Sequence, residues 1–329
     1  MGFSFCECAG VELPVVLAPM GGAVGAKLAA AVSNAGGLGI LPLWRVEVET
    51  LRKIVRQTKS LTTKPFAVNL NMDFPQEERL DACLEEGVPI ISFFWGDPSP
   101  LVKRAKNEGA IVLHSIGNAE DARKAVDIGV DVIVAQGWEA GGHVCGNVAT
   151  LALIPAVVDA VGDVPVIAAG GIADGRGLAA VLALGASAAW VGTRFLASEE
   201  AEIHPEYQQR VLTASENDTS YHNDLFNVGW PNAPHRVLRN STVDLWEANG
   251  RPSSGDRPGE GEVIASSPTR GDIVRYQSYT PGPDAKGDIE ALSMWAGQGL
   301  SLVRKRQPAA EIVDEIVNDA RATLKRVTV

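Results

Sequence analysis

The chain has 329 residues, of which 46% are hydrophobic and 21% charged, and this composition excludes disorder as its overall state. Its 29 Lys and Arg residues against 40 Asp and Glu residues give a net charge of −11, which argues against a nucleic-acid backbone or an anionic membrane as the main partner. No apolar stretch reaches the roughly 18 to 20 residues that span a bilayer, and no basic segment followed by a hydrophobic run opens the chain, so we expect a cytoplasmic protein.

Short β-branched segments alternate with longer segments of helical periodicity, a pattern typical of parallel βα units. The predicted strands are 15–20, 38–43, 66–70, 89–94, 110–115, 132–136, 165–169 and 188–192. The helices between them are predicted to begin near Val24, Val46, Pro75, Pro98, Asn118, Thr150 and Asp174. Eight such strands predict an α/β fold, a (β/α)8 TIM barrel.

The eighth helix of this barrel is predicted at the end of the chain, where six apolar residues share one helical face. These residues are Ile312, Val313, Ile316, Val317, Ala320 and Leu324. The prediction divides the chain into the main barrel (1–198), an insertion between strand eight and the last helix (199–308) and a closing helix (309–329). The insertion is expected to lie over the strand C-termini, where barrel active sites form, and its stretch 251–283 is expected to be irregular and partly mobile.

Two segments rich in glycine and polar groups follow the seventh and eighth predicted strands. The first contains Gly170 and Gly171, and the second runs through Trp190, Val191, Gly192 and Thr193. Glycine lets the backbone approach an anion and direct N–H groups at it, and barrels commonly bind phosphate after these two strands. A pair of tight turns is the alternative interpretation of the same glycines.

The segment from Gln136 to His143 leaves the sixth predicted strand and contains three glycines in six residues. A helix cannot easily continue through it, so His143 is expected on a loop over the barrel mouth. Histidine in that position suits proton transfer near neutral pH, although a lone histidine is more often a structural residue.

Other polar groups end predicted strands. The amide of Asn69 and the peptide of Met20 and Gly21 suit the mixed donor and acceptor edge of a heterocycle such as a flavin, while a turn-forming role is equally compatible with Asn69. The sequence leaves open the roles of His114, His235, Tyr276 and Tyr279. For Trp230, Arg236 and Arg239 the favoured interpretation is structural packing and ion pairing.

The four cysteines, Cys6, Cys8, Cys83 and Cys145, are too few for a disulfide scaffold and are expected to be idle thiols. The sequence contains no metal-binding motif, no Gly-x-Ser-x-Gly and no dinucleotide fingerprint after a strand, so no metal is predicted.

At these residues the chain resembles the nitronate monooxygenase family, formerly called 2-nitropropane dioxygenases, which are FMN-dependent barrels. The resemblance lies in five segments, 18–22, 66–70, 136–143, 168–171 and 192–193. It implies that Met20, Gly21, Asn69, Gln136 and Gly141 hold the isoalloxazine and ribityl parts of FMN. It further implies that Gly171 and the stretch from Trp190 to Thr193 hold the phosphate, and that His143 contacts the substrate or takes its proton.

The reaction implied by the resemblance is oxidation of an alkyl nitronate, or of a neutral nitroalkane, by FMN and O2 to a carbonyl compound and nitrite. Flavin-dependent enoyl-acyl-carrier-protein reductases and NAD(P)H:quinone reductases share the Gly-Gly-His segment, so an NAD(P)H-dependent reductase of a quinone or enoyl thioester is the alternative. The partners expected are a small-molecule substrate and O2. The oligomeric state stays open, with a homodimer as one alternative.

Overall fold

The computed structural model describes residues 4–327, so the parts of the predicted divisions that fall on residues 1–3 and 328–329 lie outside the described residues. Eight parallel strands form the central sheet. They are β1 Val15–Leu17, β2 Gly39–Pro42, β3 Phe66–Asn71, β4 Ile90–Phe94, β5 Ile111–Ile116, β6 Val132–Gln136, β8 Val166–Ala169 and β9 Ala188–Val191.

The sheet closes on itself. Its strands lie in the order β1-β9-β8-β6-β5-β4-β3-β2, and Leu38 exchanges backbone hydrogen bonds with Val15 and Leu17 to join the two edges. The predicted (β/α)8 barrel is therefore confirmed, and each strand lies within one to three residues of its predicted bounds.

Eight helices surround the strands. They are α2 Ala26–Asn34, α3 Val48–Leu61, α4 Glu77–Glu85, α5 Ser99–Asn107, α6 Ala119–Asp127, α7 Thr150–Val161, α8 Gly175–Ala183 and α12 Ala309–Val327. Helix α12 packs against α8 and α2, with Ile312, Val313 and Ile316 buried in the core between helices and strands. It thus occupies the place of the eighth barrel helix, as the apolar face predicted.

A short N-terminal helix, α1 Phe5–Ala9, was not predicted. Its capping box at Ser4 and Glu7 starts the helix, and Phe5 is buried among the residues that fill the barrel interior, including Val16 and Leu38. Five residues carry too little helical periodicity to be recognised from sequence. The helix contributes an apolar plug to the interior.

The segment between β9 and α12 contains its own secondary structure. Its elements are α9 Thr193–Leu196, α10 Pro205–Thr213, a 3₁₀ turn Glu216–Asp218, β10 Thr219–His222, β11 His235–Leu238, α11 Ser241–Ala248, β12 Val263–Ser267, β13 Gly271–Val274, β14 Lys286–Gly287 and a 3₁₀ turn Gln298–Leu302. The expectation of an irregular 251–283 stretch is wrong in part, because β12 and β13 pair there as an antiparallel hairpin. The turn residues that suggested irregular structure are the ones that close this hairpin.

Strand β11 pairs with a two-residue strand, β7 Gly142–His143, which belongs to the loop after β6. Thr280 also donates a hydrogen bond to the carbonyl of Gly21 at the end of β1. The segment between β9 and α12 is therefore attached to the barrel at the C-terminal ends of at least two strands.

Replacing Ile316 by Ala tests the closing helix. We expect a loss of about 2–5 kcal/mol in the free energy of unfolding, because the side chain is buried against α8 and the barrel and its loss leaves a cavity. Chemical denaturation of the apoprotein measures it. Asn318→Ala, at an exposed position of the same helix, is the control, and equal losses in both variants would contradict the packing described.

Candidate active site

A cavity of about 690 Å³ opens at the C-terminal ends of the barrel strands. All of the predicted site residues except Val191 line it: Met20, Gly21, Asn69, Gln136, Gly141, His143, Gly170, Gly171, Trp190, Gly192 and Thr193. Val191 lies in β9 with its side chain in the hydrophobic core between strands and helices. Side chains alternate along a strand, so Trp190 and Val191 face opposite ways.

Free backbone N–H groups mark one end of the cavity. The N–H groups of Gly170, Gly171 and Gly192 donate to no group within residues 4–327. Gly170 and Gly171 have φ of 108° and 69°, a left-handed backbone that favours glycine. The hydroxyl oxygen of Thr193 accepts the N–H of Gly297, which leaves its own proton to donate. This end of the cavity offers several donors to an anion.

The polar side chains in the middle of the cavity differ in how many of their hydrogen-bonding atoms remain unpaired. The Nδ2 of Asn69 donates to Ser92, while its Oδ1 accepts nothing from the described residues. Gln136 is more fully used, because its Nε2 donates to the carbonyl of His143 and its Oε1 accepts the N–H of Cys145. Asn69 is thus free to accept a hydrogen bond from a ligand, whereas Gln136 chiefly positions the loop that carries His143.

Gly141 is the point where this loop touches the far end of the chain. A Cβ atom at Gly141 would collide with the backbone of Ala296 and Gly297. The N–H of Gln298 donates to the carbonyl of Glu139 in the same contact. Glycine at 141 is therefore required for the turn 295–299 to close against the loop.

His143 lies inside an aromatic enclosure. Its ring centroid is 3.8 Å from that of Trp230, 5.0 Å from that of Trp295 and 5.6 Å from that of His235. Its Nε2 is buried and has no hydrogen-bond partner within residues 4–327. A buried, unpartnered ring nitrogen that borders a cavity is available to a ligand or a proton.

Burial lowers the pKa of His143 well below its usual 6.5, and the charges of His235 and Arg45 lower it further. Neutral imidazole is the form that can accept a proton. Other titratable groups that line the cavity are Tyr207, which donates to the carbonyl of Trp295, and the carboxyl groups of Asp284, which accepts hydrogen bonds from Ser267 and Thr269, and of Glu202, whose pKa is raised by burial. His143 is the neutral, unpartnered ring nitrogen among these groups and is placed to act as a base.

The residues whose roles the sequence left open separate into two groups. Tyr279 lines the cavity. His114 and His235 are buried and each ring faces a backbone carbonyl, of Phe93 and Ala233 respectively, and Tyr276 is buried with its hydroxyl on the carbonyl of Pro258. These three therefore have structural contacts.

The structural interpretation of the 229–240 segment holds for two of three residues. Trp230 donates its indole N–H to Asp73 of the barrel, and Arg239 pairs with Asp244 and Glu247. Arg236 forms no ion pair within residues 4–327, so that expectation is wrong. Its guanidinium instead stacks 4.3 Å from the Trp138 ring and donates to the Trp138 carbonyl.

Sequence reasoning missed an aromatic group beside His143. Trp44 follows β2, Phe74 follows β3, and Trp95 follows β4, whose last residue is Phe94; Trp230, between β10 and β11, completes the group. Arg45 packs over this group and, like Arg270, lines the cavity. The available signal was that aromatic residues follow three consecutive strands, which places them together at the barrel mouth.

The described residues contain neither a metal site nor a membrane-spanning helix. Within residues 4–327, no group of three or more His, Cys, Asp or Glu side chains is arranged to hold a metal ion. Over the same residues, no helix has the length and apolar character to cross a membrane. All four cysteines are free thiols.

Comparison with known proteins gives consistent similarities. The sequence profile of the nitronate monooxygenase family matches residues 4–78 and 73–319. A nitronate monooxygenase of Paraburkholderia phytofirmans is 32% identical over 97% of this chain and 95% of its own length. The (3aS,4S,5R,7aS)-5-hydroxy-7a-methyl-1-oxo-octahydro-1H-indene-4-carboxyl-CoA dehydrogenase of Mycobacterium tuberculosis is 41% identical, over 74% of this chain and 68% of its own. The structure of FabK from Thermotoga maritima superposes with a TM-score of 0.82 at 32% identity, covering 99% of both chains.

The lowered pKa of His143 predicts its titration. As the pH falls from 8 through 6.5 the imidazole should stay neutral, and it should gain a proton only at more acidic pH. Histidine in the unfolded chain binds its proton near pH 6.5, so the free energy of unfolding should fall as the pH drops below that value. His222 and His235, with pKa values of about 4, act in the same direction.

Nitrogen-15 NMR of histidine-labelled protein measures the titration, with His143→Gln to assign the signal, and thermal melts at pH 8, 6.5 and 5 measure the stability. A midpoint near 6.5 for His143 would show that its ring is hydrated in solution.

Proposed function

The chain belongs to the nitronate monooxygenase family and is a flavin-dependent oxidoreductase, and from this premise we propose that it oxidises alkyl nitronates with FMN and O2 to a carbonyl compound and nitrite. The observation that carries the proposal is the buried, unpartnered Nε2 of His143 beside a cavity whose far end presents free backbone N–H groups. The first feature suits a proton acceptor and the second a phosphate.

The cavity residues fit FMN. The N–H groups of Gly170, Gly171 and Gly192, with the hydroxyl of Thr193, would hold the phosphate. The Oδ1 of Asn69 and the N–H of Gly21, which donates to no group within residues 4–327, would meet the polar edge of the ring. Bound FMN supplies the electron-accepting ring for the oxidation.

The protein's own contribution to the chemistry centres on His143. As neutral imidazole, its Nε2 can take the proton from the carbon next to the nitro group of a neutral nitroalkane. A nitronate has already lost that proton, so it needs His143 only for positioning. Trp230 and Trp295 enclose the ring and exclude water from the proton transfer.

The division of the chain into 1–198, 199–308 and 309–329 belongs to the same proposal. The middle part covers the site, because its strand β11 pairs with Gly142 and His143 and its Trp295 packs on His143. The barrel then holds the cofactor and the middle part shapes the space for the substrate.

The central test mixes the flavin-bound protein with ethyl or propyl nitronate without oxygen, and then in air. We expect loss of the flavin absorbance in the first case and nitrite in the second. For His143→Gln we expect little change with nitronate but a fall of about 10²-fold or more in turnover of the neutral nitroalkane, since only that substrate needs a base.

His204→Gln, a change at the start of α10 outside the cavity, is the control and should behave as the unmodified protein. An unchanged visible spectrum on adding nitronate, together with no nitrite in air, would refute the proposed reaction.

Substitutions at Gly171 test the phosphate end. Gly171→Asp should weaken FMN binding, because a carboxylate would stand beside the phosphate. Gly171→Asn is the matched control, since asparagine has the same shape, no charge and a tolerance for the left-handed backbone at this position. Fluorescence titration of the apoprotein with FMN measures both. Equal FMN affinities of the Asp and Asn variants would show that the FMN phosphate does not lie beside Gly171.

A second candidate is NAD(P)H-dependent reduction of a quinone or enoyl thioester. It is favoured by two arginines, Arg45 and Arg270, which line the same cavity as His143 and which a short nitronate does not need. The likeness to a dehydrogenase of a carboxyl-CoA compound also supports a thioester. Rapid bleaching of the flavin by NADH or NADPH, with none by nitronate, would favour this candidate.

A further inference from the structure

Part of the cavity lining, here called the outer arm, consists of Ile54 and Gln57 of helix α3 and of Thr269 and Arg270 in the turn between β12 and β13. Arg45, after β2, lines the same cavity and packs over the rings of Trp44, Phe74 and Trp230. None of these residues contributes to the flavin site proposed above.

Arg45 is held in place by its surroundings. Its guanidinium lies 4.5 Å from the Trp44 ring, 4.7 Å from the Phe74 ring and 6.0 Å from the Trp230 ring, and it donates to the carbonyl of Gly229 at 2.5 Å. Stacking on aromatic rings fixes the plane of the guanidinium and leaves its other N–H groups to an incoming acceptor. Arg45 is therefore preorganised for a ligand rather than free in solvent.

Arg45 and Arg270 have no carboxylate partner in the part of the chain that the structure describes. Within residues 4–327 neither Arg45 nor Arg270 forms an ion pair with a carboxylate, in a chain whose net charge is −11. Burial and the neighbouring charge of Arg270 lower the pKa of Arg45 to about 10, so it remains charged at neutral pH. The carboxylates of Glu202 and Asp284 also line the cavity, but within the described residues neither forms an ion pair with Arg45 or Arg270, and Asp284 accepts hydrogen bonds from Ser267 and Thr269.

We propose that Arg45 and Arg270 form an anion subsite that binds the pyrophosphate of a second ligand, whose other end reaches past the aromatic group to His143 and the flavin. Two guanidinium groups without a carboxylate match the charge and the forked geometry of phosphate oxygens. A nicotinamide dinucleotide and a coenzyme A thioester both carry such a pyrophosphate. The proposal rests on the second candidate function above rather than on nitronate oxidation, and a binding experiment tests it separately from either activity.

The subsite faces solvent on the Arg270 side, where the side chain is exposed, and is closed on the Trp230 side, where the indole is 4% exposed. A bulky nucleotide can therefore remain outside the protein while its phosphates reach the two arginines. Only a slender chain or ring of the ligand then needs to pass toward His143.

Isothermal titration of the flavin-bound protein tests the subsite without any turnover. The probes are coenzyme A and NADP⁺, each compared with its phosphate-free fragments, which are pantetheine and adenosine for the first and nicotinamide riboside and adenosine for the second. We expect at least one phosphate-bearing probe to bind more tightly than its fragments. Arg45→Gln and Arg270→Gln should each weaken that binding by about tenfold or more, because each removes charge-assisted hydrogen bonds.

Arg123→Gln, which removes an exposed arginine from α6 far from the cavity lining, is the control and should bind as the unmodified protein does. Arg270 is exposed, so its variant is expected to fold, and circular dichroism melts check both variants. Binding of coenzyme A alone identifies a thioester substrate and binding of NADP⁺ alone identifies a dinucleotide. The proposal is overturned if neither probe binds better than its fragments, or if both substitutions leave the affinity unchanged.

Discussion

His143 owes its position to backbone pairing rather than to hydrogen bonds of its own ring. Gly142 and His143 form the edge strand of a small antiparallel sheet whose next strand, His235–Leu238, comes from the segment between β9 and α12. On the barrel side, the amide of Gln136 holds the backbone of the same loop. The candidate base is thus fixed jointly by two distant parts of the chain, and the rest of the site depends on their being docked together.

The same aromatic enclosure has opposite consequences for the two basic groups it contains. Burial drives the pKa of His143 down, which keeps the imidazole neutral and able to accept a proton. Arg45 is also partly buried, but a pKa of about 10 leaves it charged at neutral pH and without a carboxylate. One environment therefore holds a neutral base, whose ring centroid is 3.8 Å from that of Trp230, and a persistent cation, whose Cζ atom is 6.0 Å from the same centroid.

In the function proposed above, the barrel holds the cofactor and the segment between β9 and α12 shapes the space for the substrate. The strand ends of the barrel offer backbone N–H groups, which suit a phosphate whatever the substrate is. The space beyond His143 is shaped instead by Trp230, Arg270 and Tyr279, all from the segment after β9. Fold alone does not identify a substrate, and the residues that line this space lie in the part of the chain with the least regular pattern.

The sequence by itself determined the barrel, the closing helix and the loops of Gly170, Gly192 and His143, because β-branched strands, helical faces and glycines after strands are local signals. The tertiary structure decided what those residues face. Val191 points into the core, and the Gln136 amide is used within its own loop. Arg45 donates a hydrogen bond to the carbonyl of Gly229, 184 positions away in the sequence. No local pattern encodes this contact, because it forms only when the segment between β9 and α12 packs on the closed barrel.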